Sequence, residues 1–162
     1  MTSERAQALA DQFAAANNEM IATVEGCSES QWQMKCADED RPVAVVAHHV
    51  AGAYRAVSGW VRAVATGQTL PPTLTHEYID DINASHAAKH ATPTQAEVLA
   101  RLRFNGAAAT EMIRGLSDDE LDRTGSAPLF GERPLAARTV IKHVLIAHIT
   151  GHLKSINATL GQ

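Results

Sequence analysis

Apolar residues recur at intervals of three and four along four long stretches of the chain, which is the pattern of a helix with one buried face. A glycine follows or closes each of the first three stretches, namely Gly26, Gly67 and Gly115, at positions where glycine commonly ends a helix. The pattern therefore predicts four long helices, over about 3–25, 41–66, 92–115 and 134–160.

The segments between these helices contain further signals. Residues 67–91 hold a proline pair and then a short apolar stripe, which predicts an additional short helix. Thr92 and Gln95 have the spacing of a capping box, which predicts the start of the third long helix. Ser117 and Glu120 repeat this spacing before a single helical turn, and residues 125–134 are predicted to form a loop.

Together these elements predict an all-α fold, a four-helix bundle with long connections after helices 2 and 3. Connections of that length permit a crossover, so a simple up-down-up-down order does not follow from the sequence. The 162 residues suffice for one hydrophobic core, and we expect a single domain over residues 1–162.

Composition narrows the classes of partner. The formal net charge is −4 at pH 7, which argues against nucleic acid and anionic membranes, because no basic surface is available to bind phosphates. Aromatic residues make up only 4% of an alanine-rich chain, which favours helices over sheets. The chain shows neither a membrane-spanning apolar run nor a signal-peptide pattern, so we expect a cytoplasmic protein.

The chain has 8 histidines, and their positions on the predicted helices separate them. His148 and His152 lie one turn apart within the broad apolar arc of the fourth helix, whereas His143 lies on the opposite side and is predicted to be solvated. In the second helix His49 lies about 100° from the centre of the valine stripe, at the edge of the buried face. His48 lies about 160° from that centre and is predicted to point into water.

Two imidazoles at positions i and i+4 of an inward face can bind one metal ion through their Nε2 atoms. A third histidine from another helix would complete a site that keeps a position open for water or substrate, as catalytic sites do. The helical geometry alone is equally compatible with core histidines that hydrogen-bond to other groups. A rival pair with the same spacing, His86 and His90, lies in the short predicted helix, where we expect a solvated face.

Other catalytic motifs are absent from the sequence. His76 and Glu77 begin like the helix of a zinc protease, but Asp80 stands where the second histidine would be needed. No Glu-x-x-His occurs, which argues against a di-iron bundle. There is no glycine-rich nucleotide loop and no G-x-S-x-G motif. Cys27 and Cys36 lack a metal-binding spacing and are too few for a disulfide framework.

Three short motifs along the chain resemble those of the DinB/YfiT-like superfamily. The run 41–52 places an aliphatic stretch before His49, followed by Val-Ala-Gly. A loop ending in Phe-Gly-Glu, residues 130–132, precedes a helix that carries His148 and His152 followed by Leu153. Asp80-Asp81-Ile82-Asn83-Ala84 is a weaker match. Arg41 replaces a tryptophan often found at the start of helix 2, and His48 doubles the histidine.

The resemblance implies a divalent metal, zinc or nickel, held by His49, His148 and His152 near one end of the bundle. It also implies a thiol transferase, isomerase or hydrolase that activates a small-molecule thiol or a water against an electrophilic substrate, and a homodimer. The carboxylates of Asp80 and Asp81 are candidates for orienting a ligand histidine. The alternatives are a non-catalytic, stress-related metal-binding bundle and a helical interaction domain without metal.

Overall fold

The computed structural model of the chain describes residues 3–162, and it contains the four predicted long helices. The fourth, residues 137–160, is continuous but changes its winding, since a π-helical stretch joins two α-helical parts without a break; we call it the C-terminal helix. In chain order the elements are α1 (Glu4–Gly26), α2 (Glu29–Trp32), β1 (Lys35–Cys36), β2 (Arg41–Pro42), α3 (Val43–Ala65), α4 (His76–Lys89), α5 (Gln95–Arg114), α6 (Asp118–Asp122), β3 (Thr124–Gly125), a 3-10 turn (Pro128–Phe130), β4 (Leu135–Ala136), α7 (Ala137–Val140), the π-helical stretch (Ile141–Ile146) and α8 (Ala147–Leu160).

The long helices do not follow one another around the bundle. Helices α1 and α3 each pack against both α5 and the C-terminal helix, which gives the ring order α1, α5, α3, C-terminal helix. The chain therefore crosses the bundle diagonally after α1 and again after α5. The long connection after α3, by contrast, joins two neighbours. Of the two connections that we expected to permit a crossover, only the one after the third long helix contains one.

Both diagonal connections have the same construction, a short helix followed by a two-residue antiparallel ladder. The first ladder pairs Lys35 with Pro42 and Cys36 with Arg41. The second pairs β3 with β4 directly before the C-terminal helix begins. Sequence analysis predicted neither ladder, because two residues are too few to show the alternation that identifies a strand.

The helix starts confirm one capping prediction and correct another. The Ser117 hydroxyl accepts a hydrogen bond from the Glu120 amide, and the Glu120 carboxylate accepts one from the Ser117 amide, which is the predicted capping box. The start of α5 is capped by Thr94 and not by Thr92. Gln95 instead donates to two backbone carbonyls at the carboxyl end of α1, so its side chain satisfies the end of a neighbouring helix.

Hydrogen bonds of three buried polar side chains connect α1, α3 and α5. The Tyr54 hydroxyl donates to Asn17 Oδ1 at 2.8 Å, and Asn17 Nδ2 donates to the Leu102 carbonyl at 3.2 Å. Asn105 Nδ2 donates to the Ala51 carbonyl at 2.9 Å. Each of these hydrogen bonds replaces one to water that the polar group loses on burial. Together they fix how the three helices are rotated relative to one another. This fixes the face that α3 presents to the C-terminal helix.

Helix α4 lies outside this four-helix arrangement and has no fully buried residue. It packs against α3 through half-buried side chains, among them Ile79 and His86. Its sequence is too polar to enter the core, so it covers α3 from the outside. None of the helices within residues 3–162 combines the length and the hydropathy that crossing a bilayer requires.

Candidate metal centre

Three imidazole rings from α3 and α8 converge at one point. The Nε2 atoms of His49 and His148 lie 2.9 Å apart, and those of His148 and His152 lie 3.1 Å apart. Nitrogens that share one ion at about 2.0–2.1 Å lie about 2.8–3.4 Å from each other, depending on the coordination geometry. The structure thus brings together the three histidines chosen from the sequence, at the separation that a shared ion needs.

The hydrogen-bonding capacity of the rings also fits a cation. His148 Nε2 faces both other Nε2 atoms, and one nitrogen cannot make a good hydrogen bond to each of two further ring nitrogens. His148 Nδ1 is buried and has no hydrogen-bond partner among the described residues. Three lone pairs directed at one cation would remove the conflict between the facing nitrogens, so the donor set suits a borderline metal such as zinc or nickel.

A carboxylate orients one of the three rings. Glu39 Oε1 lies 2.8 Å from His152 Nδ1, and since a carboxylate only accepts, the ring donates from Nδ1 and keeps the lone pair on Nε2. Asp40, at φ +53°, forms the tight turn that holds Glu39 beside the bundle. Burial by itself raises the pKa of Glu39, but the hydrogen bond and charge of His152 outweigh it, so the net pKa lies below the usual range.

Burial keeps two of the three candidate ligand rings, His49 and His148, neutral. Desolvation, together with the neighbouring histidines, lowers the pKa of His49 to about 3 and that of His148 to about 3. A metal binds only unprotonated imidazole, so protons do not compete for these nitrogens near neutral pH.

The helical winding changes directly before His148. Residues Ile141–Ile146 are π-helical, and the wider turn rotates α8 relative to α7. Ile141 and Leu145 stay buried within this stretch, as do Ile149 and Leu153 beyond it. The π-helical stretch therefore keeps the apolar face inward while it sets the direction in which His148 and His152 project.

A cavity of about 760 Å³ opens onto the three histidines. Its wall is mainly apolar, and Arg41 and His86 are among its few polar lining residues. The principal apolar side chains are those of Trp60, Ile79, Ile82, Phe130, Leu135 and Val144. A second cavity of about 610 Å³ also reaches His148 and His152 and is lined by charged residues that include Glu39 and Lys154. The centre is therefore accessible to small molecules.

Comparisons with known proteins agree with this architecture. A sequence model of the DinB superfamily matches residues 12–156, which is most of the chain. The chain belongs to the DinB superfamily. Among curated proteins none matches the chain significantly.

Solved structures show the same fold as this DinB-superfamily chain at low sequence identity. YfiT from Bacillus subtilis, described as a probable metal-dependent hydrolase with an unusual four-helix bundle topology, is 16% identical, with 99% of this chain and 90% of YfiT covered at a TM-score of 0.73. An uncharacterised protein from Clostridium difficile 630 is 16% identical over 98% of this chain and 96% of that one, with a TM-score of 0.74. The sibling lethal factor precursor DfsB is 19% identical, with 96% of this chain and 95% of DfsB covered at a TM-score of 0.74.

The structure corrects three assignments around the centre of this DinB-superfamily protein. His48 does not point into water; it is 1% exposed, because α4 covers the side of α3 that lies away from the bundle core. His86 and His90 are half-buried for the same reason. Asp80 and Asp81 are exposed on α4, and no hydrogen bond joins either carboxylate to a ligand histidine. His143 is exposed, as predicted, at the cavity wall.

Sequence analysis missed Glu39. It lies in the acidic triplet Asp38-Glu39-Asp40, directly before the predicted start of the second long helix. No periodicity distinguishes its three members, because only the turn of the β1–β2 connection directs the middle one toward α8. The intermediate burial of Glu39 between two exposed neighbours became visible only in the fold.

Glu39→Gln is expected to weaken metal affinity by about 10–100-fold, because the neutral amide gives His152 a weaker partner than the carboxylate. Titration of the metal-free protein with zinc, against a chromophoric chelator, measures the change. Asp38→Asn removes the same charge one residue away from an exposed position and is the matched control. Equal weakening in both variants would show that general surface charge, and not orientation of the ring, is responsible.

Proposed function

We propose that this protein is a divalent-metal-dependent enzyme in which His49, His148 and His152 hold zinc or nickel. The reaction is the addition or transfer of a low-molecular-weight thiol to an electrophile, or its hydrolysis by water. The observation that carries the proposal is the convergence of three imidazoles on the wall of an open, mainly apolar cavity. A purely structural metal site is closed by four protein ligands, whereas three leave a position for a reactant.

The ion would supply Lewis acidity, which lowers the pKa of a thiol or water in its open position toward neutrality. The chain supplies the rest. Imidazole would bind the ion in its uncharged form, so the ion would retain its full positive charge. Glu39 holds the His152 ring in one orientation through Nδ1, and the cavity wall presents mainly apolar side chains to one side of the centre.

The cavity wall indicates the chemical class of the reactants. Its volume of about 760 Å³ suits a small organic molecule. Trp60 and Phe130 offer flat apolar surface to an electrophile. Arg41 lines both cavities and offers a guanidinium to a carboxylate, as a thiol built from amino acids would carry.

Hydrolysis is the form of this proposal that the description of YfiT supports, because that protein is called a probable metal-dependent hydrolase. The alternative is a non-catalytic metal-binding protein. The open cavity beside the centre favours the enzyme, since a site that only stabilises the fold gains nothing from access for small molecules.

Turnover by the zinc- or nickel-loaded protein tests the proposal. The assay combines small thiols with a chromogenic aryl halide, and separately an activated ester with water. We expect a rate at least tenfold above that of the metal-free protein, and loss of this increase in His49→Ala. His76→Ala, which removes an exposed histidine at the start of α4, should leave the rate unchanged. Stoichiometric metal without turnover of either substrate class would favour the non-catalytic alternative.

A further inference from the structure

A second group of three histidines lies beside the first. His48 of α3 meets His86 of α4 and His90, the residue that caps the carboxyl end of α4. A ring nitrogen from each lies within 4.8 Å of the others, and His48 Nδ1 lies 2.7 Å from His86 Nε2. The two groups adjoin, since the rings of His49 and His86 are 5.6 Å apart. We call His48, His86 and His90 the outer cluster.

The ring centroids of the outer cluster are spaced like those of His49, His148 and His152, which we call the first centre. Its ring centroids are separated by 4.9, 4.4 and 5.0 Å. The corresponding separations among His49, His148 and His152 are 4.8, 5.1 and 4.4 Å. Imidazoles that share one ion have centroids about 4.5–5.2 Å apart, from the metal–nitrogen distance and the size of the ring. In each triangle two separations lie in that range, and the third, 4.4 Å, lies just below it.

Hydrogen bonding leaves the outer cluster unsatisfied. His48 is 1% exposed, and its Nε2 has no hydrogen-bond partner among the described residues; His86 Nδ1 is buried and equally without a partner. The hydrogen bond between His48 Nδ1 and His86 Nε2 serves two rings at once, and Glu97 approaches His48 Nε2 only to 3.4 Å. Each buried ring nitrogen without a good partner costs free energy, which a shared ion would recover.

In each cluster a carboxylate lies near the second nitrogen of one ring, the one not directed at the other histidines. Glu97, in the first turn of α5, has Oε1 3.4 Å from His48 Nε2, the nitrogen that faces away from His86. This repeats the relation of Glu39 to His152, in which the carboxylate faces the nitrogen not directed at the other histidines. Histidines that bind metals commonly turn their second nitrogen to a carboxylate in this way.

The outer cluster lies where α4, which forms part of the cavity wall, contacts α3. Ile79, Ile82 and His86 of α4 form part of the cavity wall, yet α4 has no fully buried residue to anchor it. An ion shared between α3 and the end of α4 would fix that wall against the bundle. His48 would bind the ion from α3, and His86 and His90 would bind it from α4 and its end.

We propose that His48, His86 and His90 form a second divalent-metal site, distinct from His49, His148 and His152, which takes a borderline cation such as zinc, nickel, cobalt or copper. Imidazole nitrogen is a ligand that all four accept. Occupancy of this site fastens α4 to α3 and orders the wall of the cavity. The inference does not depend on the proposed reaction, because it concerns binding by a different set of residues.

Metal stoichiometry of the untagged protein tests the second site. Equilibrium dialysis against zinc, followed by elemental mass spectrometry, should give two ions per chain for the wild type. His90→Ala and His86→Ala should each retain one, His148→Ala should retain the other, and His90→Ala/His148→Ala should retain none. His90 is half-buried at a helix end, so its replacement spares the core. His76→Ala, at the other end of α4, should still bind two.

Amide hydrogen exchange gives a second readout within the His148→Ala background, where only the outer cluster can bind. Zinc should slow exchange across residues 76–90 at least tenfold, and the effect should vanish when His90→Ala is added. A wild-type chain that binds one ion, lost in His148→Ala and kept in His90→Ala, would overturn the proposal. So would two ions that persist in both His86→Ala and His90→Ala.

Discussion

His148→Ala is expected to reduce the affinity of the first centre for zinc or nickel by on the order of a thousandfold, because one ligand of a tetrahedral site carries about 3–4 kcal/mol of the binding free energy. His148 is the decisive position, since its Nε2 lies within 3.1 Å of the Nε2 atoms of both His49 and His152. The helices should persist, because the buried apolar residues of α8 are unchanged. Competition with a chromophoric chelator measures the affinity, and far-ultraviolet circular dichroism measures the helicity.

The comparison is sharpest in the His90→Ala background, which removes any ion bound by the outer cluster. His143→Ala is the matched control, because His143 belongs to the same continuous helix but is exposed. It should bind metal as the parent does. Retention of one tightly bound ion by His148→Ala in this background would refute the three-histidine assignment.

The metal-free protein is expected to lose stability steeply between pH 7.5 and pH 5.5. His49 and His148 have pKa values of about 3 in the folded chain and about 6.5 when unfolded. Below pH 6.5 the unfolded state therefore binds more protons, and stability falls as the pH falls toward the folded pKa values. Two such groups cost about 3 kcal/mol at pH 5.5, which lowers Tm by roughly 5–10 °C.

The pKa of His86, lowered to about 4 by burial and by His48, shifts stability in the same direction. Thermal melts at both pH values, in the presence of a chelator, measure the effect. His148→Gln removes one of three titrating rings and should make the pH dependence about a third less steep over this range, whereas His143→Gln should not. An equal fall in Tm for the parent and for His148→Gln would mean that the buried rings are not its source.

The placement of the three-histidine group was predictable because each member lies on a long helix with a regular apolar face. Counting 100° per residue put His148 and His152 on the buried arc and His49 at the edge of the second helix. The same counting failed for His48. It measures direction from the core of the bundle, and a side chain opposite the core is solvated only if nothing packs outside it. Helix α4 packs there, and its weak apolar stripe gave no indication of where it would lie.

The crossings of the bundle were beyond prediction for a related reason. Helix lengths and loop lengths bound the possible orders, but the choice among them depends on which apolar faces fit each other. Here Asn17, Tyr54 and Asn105 join α1, α3 and α5 by specific buried hydrogen bonds. No count of residues between helices contains that information.

The sequence by itself determined the four long helices, the superfamily and three histidines placed to meet, because those features follow from local periodicity and short motifs. Only the tertiary structure decided which carboxylates and which further histidines contact these rings and the neighbouring His48. Glu39 and Glu97 reach His152 and His48 from segments distant in the chain, and α4 turns His86 and His90 toward α3. These contacts depend on how whole elements pack, and packing is a property of the assembled faces and not of any single stretch of residues.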